Sequence, residues 1–160
     1  MKKILIPVAG FFLFLFTACI GDNEDNASAL ADNEDNASAL ADSLYNDVIK
    51  GHDEAMVRWM RIEGKQKEIN QLLDSIAKLP SKAKAATEQL AAKLTEANTE
   101  LQSAYDGMDR WMSEVNLDSA KDNPEQRIKY FTEEKLKVFK VKDAVSNSLH
   151  KADSLLKAKL

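Results

Sequence analysis

The sequence predicts an all-α protein: an antiparallel up-down-up three-helix bundle of long, coiled-coil-like helices, behind a signal peptide and a disordered acidic tether. Three observations predict it. No stretch of any length alternates apolar and polar residues as a strand would. The whole chain holds three prolines. From Ser43 onward, apolar residues return at three- and four-residue spacing, the period of one helix face. The 160 residues allow a single domain.

The first 18 residues have the layout of a lipoprotein signal peptide. Met1-Lys2-Lys3 is a positive start, and Ile4 to Phe16 is an uncharged apolar run. That run is shorter than the ~20 residues a spanning helix needs. Phe16-Thr17-Ala18-Cys19 resembles a bacterial lipobox, with Phe16 where Leu is more usual. The resemblance implies that Cys19 is lipidated on sulfur and becomes the acylated first residue of the mature protein. Ordinary secretion with a stray cysteine, or an uncleaved anchor, is the competing reading. A lone cysteine can close no internal disulfide, and lipidation accounts for both its number and its position.

Residues 19–42 read as the lipidated cysteine and an acidic tandem-repeat linker. Asp22 to Ala31 recurs without change as Asp32 to Ala41, and each copy carries three carboxylates and no base. One leucine and a few alanines per copy offer little to bury, so the composition favours a solvated, disordered tether that charge repulsion keeps extended. Acidic residues soon after a lipidated cysteine also resemble the export signals of Bacteroidota lipoproteins, so the periplasmic face of the outer membrane and the cell surface both stay open.

The folded part is expected over residues 43–160. A first helix should run from the capping pair Asp42-Ser43 to Leu79, where Pro80 stops it. In heptad register Tyr45, His52, Trp59, Gln66 and Leu73 form one seam, and Val48, Ala55, Ile62, Ile69 and Ile76 the other. Ser81 can cap a second helix over 81–115, with a stripe through Leu90, Leu94, Ala97, Leu101, Ala104, Met108 and Trp111. Asn123 as cap, with Pro124 behind it, starts a third over 124–158. Its stripe runs through Ile128, Phe131, Val138, Val145, Leu149, Ala152 and Leu156, with Lys135 and Lys142 snorkelling along its edge.

Charge supports helices that complement one another. Residues 80–120 carry a net −3, residues 125–160 a net +4, and residues 43–160 together a net +1. No basic face dominates, so nothing in the chain marks it for nucleic acid.

The turns should bring His52, Met56, Trp59 and Met60 to the same end as Tyr105, Met108, Trp111, Met112 and Phe131. His52, Met56 and Met60 recur every fourth residue, on successive turns. Imidazole with thioethers suits Cu(I), which makes His52, Met56, Met108 and Met112 a candidate metal site. The plainer reading is a core end filled by methionine and aromatics. Haem ligation is disfavoured because His150 belongs at the opposite end, and di-iron chemistry because no Glu-x-x-His occurs. No nucleophile has a recognisable base beside it, so no enzyme and no cofactor is expected. Asp118-Ser119-Ala120 resembles the O-glycosylation sequence of Bacteroidota, with Ser119 the loop candidate among four such Asp-Ser sites.

"HDEAM" in the first helix, "YDGMDRWM" in the second and "YFTEEKLKVFKVKDAVSNSLHKADSLL" in the third resemble small Bacteroidota lipoproteins described as viral A-type inclusion protein-like. The resemblance covers most of residues 43–156. It implies a helical lipoprotein and supplies no catalytic residues to carry over. The expected role is a non-catalytic structural or protein-interaction module, bound to the bacterial outer membrane through its N-terminal lipid and meeting an envelope protein partner. A periplasmic Cu(I)-binding protein is the alternative.

Overall fold

The computed structural model describes residues 24–158, with side-chain surroundings from residue 33 onward. The signal peptide over 1–18 and the lipidation site Cys19 lie outside the described residues. Within them all regular structure is helical: α1 (Glu24–Trp59), α2 (Ile62–Ala77), α3 (Ser81–Glu114) and α4 (Pro124–Lys157).

Two boundaries differ from expectation. The acidic repeat, expected as a disordered tether, is helical from Glu24, so Asp42-Ser43 lies inside α1 and caps nothing. Its charge density had outweighed its helix-forming residues. Alanine, leucine and glutamate are good helix formers, and extending an existing helix avoids the cost of nucleation. The second copy is partly packed as well, for Ala41 is buried and Ala37 half-buried.

The second difference is that the helix expected over 43–79 is broken at Met60-Arg61. The break is one tight turn. Arg61 N–H donates to Arg58 O at 2.9 Å, three residues back, and Lys65 N–H donates to Arg61 O at 3.1 Å to restart the ladder. The buried stripe passes through it undisturbed: Ala41, Val48, Ala55, Ile62, Ile69 and Ile76 are all buried at strict seven-residue spacing. Such a period keeps one seam against its neighbours along a left-handed supercoil. The other expected seam, through Tyr45, His52, Trp59, Gln66 and Leu73, is half-buried.

The remaining ends follow their residues. Pro80 closes α2 and precedes α3, whose first residue is Ser81; no side chain caps that helix, so Ser81 is not the expected cap. Asn123 does cap α4, its Oδ1 accepting from Gln126 N–H at 3.0 Å, with Pro124 next.

Side-chain pairs set the directions. Asp47 meets Lys135 and Glu54 meets Lys142, each pair 88 residues apart. Lys65 meets Asp153 at the same separation. A constant offset means that α1 and its continuation α2 run parallel to α4 in one register. Gln66 bonds to Gln102 and Asn70 to Asn98, so α3 runs against α2. It also runs against α4, where Lys151 holds Glu96 and Glu100. The core falls into two clusters. Val48, Ala55, Met108, Trp111, Phe131 and Val138 fill the end nearest the α3–α4 loop, and Ile62, Ile69, Leu94, Leu101, Val145 and Leu149 fill much of the rest; Trp59 and Val141 touch both.

Candidate functional site

The helices around α4 close tightly. Lys142 holds its ammonium over the ring of Phe139, with Nζ 4.1 Å from the ring centroid, and the same Nζ reaches Glu54 at 3.1 Å. Lys135 reaches Asp47 at 2.7 Å. Both lysines, expected to snorkel along the stripe's edge, end on carboxylates of α1. That hydrogen bond and the charge of Lys142 hold Glu54 below its ordinary carboxylate range. Bonds to Asp153 and Glu68 raise Lys65 in the same fashion. At Gly51, α1 comes so near α4 that an added Cβ would stand 3.0 Å from Val138 Cγ1 and 3.2 Å from a ring carbon of Phe139.

The opposite side of α1 is open. Beside α3 it leaves a groove of about 420 Å³, in which His52 and Asp53 of α1 face Trp111 and Met112 of α3. Ile49, Val115 and Leu117 complete the wall. Trp111 is held from behind: its Nε1–H donates to Glu134 Oε2 at 2.9 Å, and Lys137 donates to Glu134 Oε1 at 2.7 Å. With its polar atom satisfied in the core, the indole offers the groove an apolar surface. The ring of His52 lies 5.7 Å from that of Trp111, tilted by 36°. Asp53 Oδ1 stands 2.9 Å from His52 Nδ1.

Further along the same seam, Trp59 stacks on Tyr105 at 4.5 Å and donates its Nε1–H to Tyr105 O at 3.2 Å. Burial, and then the charges of Glu63, Asp109 and Asp106, push the Tyr105 phenol above its ordinary value. Tyr105 and Met112 are seven residues apart on α3, as are His52 and Trp59 on α1, so both features belong to one face.

The four candidate metal ligands separate. His52 and Met112 share the groove, Met108 is fully buried in the core, and Met56 is half-buried against the same cluster without lining the groove. Among the described residues, no three His, Cys, Asp or Glu side chains converge as metal ligands. Ser119 sits in the turn between α3 and α4, where its carbonyl accepts from Arg127 Nη1 at 3.0 Å and its neighbour Ala120 takes a left-handed φ of 52°. With Tyr130 and Glu133 it borders a recess of about 310 Å³.

Glu134 was missed in the sequence, although a signal was there. It lies three residues after Phe131 and four before Val138, inside the apolar stripe, and an interior tryptophan needs an acceptor. No helix among the described residues is long and apolar enough to cross a membrane. No protein-family model matches the chain, and neither a curated protein nor a solved structure does.

Proposed function

We propose that the chain is a non-catalytic interaction module of the bacterial envelope, lipid-anchored at Cys19 to the outer membrane. The open groove between α1 and α3 carries this reading. A rod whose α4 seams are closed by ion pairs, while one side keeps a pre-formed apolar recess, is suited to holding a partner. The titratable pair in that recess, His52 and Asp53, has no serine, threonine or cysteine beside it among the lining residues, which argues for binding over chemistry. The helical arm within the acidic repeat acts as a spacer. From Glu24 to Ile49, α1 rises about 40 Å at 1.5 Å per residue, enough to present the groove away from the lipid surface. The resemblance to small Bacteroidota lipoproteins supports the anchor, and Ser119 is the loop position offered for O-glycosylation.

Metabolic labelling with a radioactive fatty acid, followed by membrane fractionation, tests the anchor. Wild type should carry label and sediment with outer membrane, and Cys19→Ser should lose both. Equal membrane retention of Cys19→Ser would overturn the anchor.

A second reading, a soft-metal site, is favoured by one contact. A carboxylate on His52 Nδ1 orients the ring and leaves Nε2 as the ligand atom, in a groove that Met112 also lines. Anaerobic Cu(I) titration against a competing chelator would show tight binding, lost in His52→Ala with Met112→Leu, if this reading holds; no binding in wild type would remove it.

A further inference from the structure

We infer that the groove between α1 and α3 is the seat of a basic amphipathic helix from a partner protein, with one bulky apolar side chain entering over Trp111. This deepens the module reading and rests on it.

The first argument is how the bundle already solves the same problem. α1 holds nine acids and two bases, six of the acids ahead of Ser43, and α3 six and four, whereas α4 holds five acids and eight bases. Two acidic helices are joined on one side by a basic one, through Lys135, Lys142 and Lys151. On the other side of the α1–α3 pair no such helix lies among the described residues. Along that side α2 and α3 meet at the amide pairs Gln66–Gln102 and Asn70–Asn98, and nearer the α3–α4 loop α1 and α3 border the groove.

Charge along that side points to the same occupant. Asp53, Glu63, Asp106 and Asp109 form no ion pair with lysine or arginine among the described residues, while Asp47, Glu54, Glu96, Glu100 and Asp153, which face α4 or lie on it, all do. The side chain of Asp53 is 71% exposed at the rim. Carboxylates beside an apolar recess match lysines flanking an apolar stripe, so complementarity selects a basic helix over an acidic or neutral one. Helix-in-groove recognition places one or two apolar anchors in such a recess. Trp111 is ready for one, because Glu134 and Lys137 fix the indole before anything binds.

The test uses the purified full chain and a fluorescein-labelled synthetic peptide, a lysine-rich amphipathic helix of about 21 residues with leucine along one stripe. Two control peptides accompany it: the same composition scrambled to abolish the stripe, and the same stripe with glutamate for lysine. Anisotropy should show micromolar binding of the first peptide alone. Met112→Lys, which puts a cation in the recess, should weaken it at least tenfold. Asp53→Asn with Asp109→Asn should weaken it severalfold and flatten its salt dependence. Circular dichroism establishes that each variant remains helical. A photo-crosslinker at the central leucine should mark 49–53 and 111–117 of the wild-type chain, a readout that does not depend on any variant folding.

Equal binding of the scrambled peptide, undiminished binding by a helical Met112→Lys chain, or adducts confined to α4 would each overturn the proposal. So would a dimer in sedimentation that Met112→Lys dissociates, since a second copy would then own the groove. A partner crosslinked in the envelope through another surface, with no peptide binding here, would sink this proposal and leave the module reading standing. The assay does not depend on the lipid at Cys19.

Discussion

α1 meets α4 on one side and α3 on the other, and the two meetings are built differently. Against α4 it offers Gly51 for close approach, buries Val48 and Ala55, and adds the ion pairs of Asp47 and Glu54. Toward α3 it offers His52 and Asp53 across a recess of about 420 Å³. The difference follows from charge as much as from packing. An acidic helix and a basic one gain by approaching, and their long side chains cover the seam; two acidic helices gain nothing beyond their apolar contacts. Tight apolar packing is kept where the partner is complementary.

The largest expected effect separates the two sides directly. Phe131 is fully buried, meets Tyr45 edge-on at 5.4 Å and lies under Arg127 at 4.6 Å. Phe131→Ala should cost about 3–5 kcal/mol in chemical denaturation. Met112→Ala, which trims the groove wall, should cost less than about 1 kcal/mol, because its side chain already borders open space. Similar losses at the two positions would mean that the groove side is as closely packed as the α4 side.

Glu134 comes next, since it links the closed side to the open one. Glu134→Ala leaves the buried Nε1–H of Trp111 without its acceptor and should cost about 1–3 kcal/mol. Glu134→Gln keeps an oxygen in place and should lose less. Tryptophan emission should also change more in the alanine variant than in the glutamine one. Equal losses in the two would assign the effect to packing and not to the hydrogen bond.

Much of this was legible in the sequence. Heptad spacing gave the buried face of α1 and α2, and Asn123-Pro124 gave the start of α4, because burial periodicity and capping chemistry are local. The break at Met60-Arg61 was not legible, for neither residue is a helix breaker and the buried stripe runs through it unchanged. Likewise the repeat's charge masks the helix-forming alanines, of which Ala41 is buried. At the candidate site, the convergence of His52 with Trp111 and Met112 followed from the turns. That Met108 belongs to the core while Met112 borders the groove depends on which side of α3 lacks a complementary helix. That is a pairwise property, which no single helix records.

Three glycines sharpen the comparison at smaller scale. A Cβ at Gly107 or Gly64 would meet nothing within 4 Å, so Gly107→Ala and Gly64→Ala should each raise stability by about 0.5–1 kcal/mol through helix propensity. At Gly51 the same gain is opposed by Val138 and Phe139. Gly51→Ala should fall short of the other two, and Gly51→Leu should destabilise by about 1–3 kcal/mol. A thermal-melt series of the four variants decides it. Gly51→Ala stabilising as much as Gly107→Ala would show that α1 and α4 approach less closely than these distances indicate.

The smallest effect is a pH dependence confined to the α4 side. Lys142 lowers the pKa of Glu54, so this pair contributes stability that is fully present above the unfolded pKa and is lost as pH falls through the lower folded value, below about 4.5. For Lys65 the sign reverses: its pKa is raised by Asp153 and Glu68, so its contribution holds at neutral pH and fades only as pH rises beyond 10.5. Glu54→Gln should therefore flatten the acid limb of a stability-against-pH curve and leave the alkaline limb unchanged. Both members of the Glu54 pair are partly exposed, so the change should be small and should shrink further in added salt. An acid limb as steep in Glu54→Gln as in wild type would mean that the pair with Lys142 adds nothing to the α4 side, and the electrostatic part of the contrast would fail.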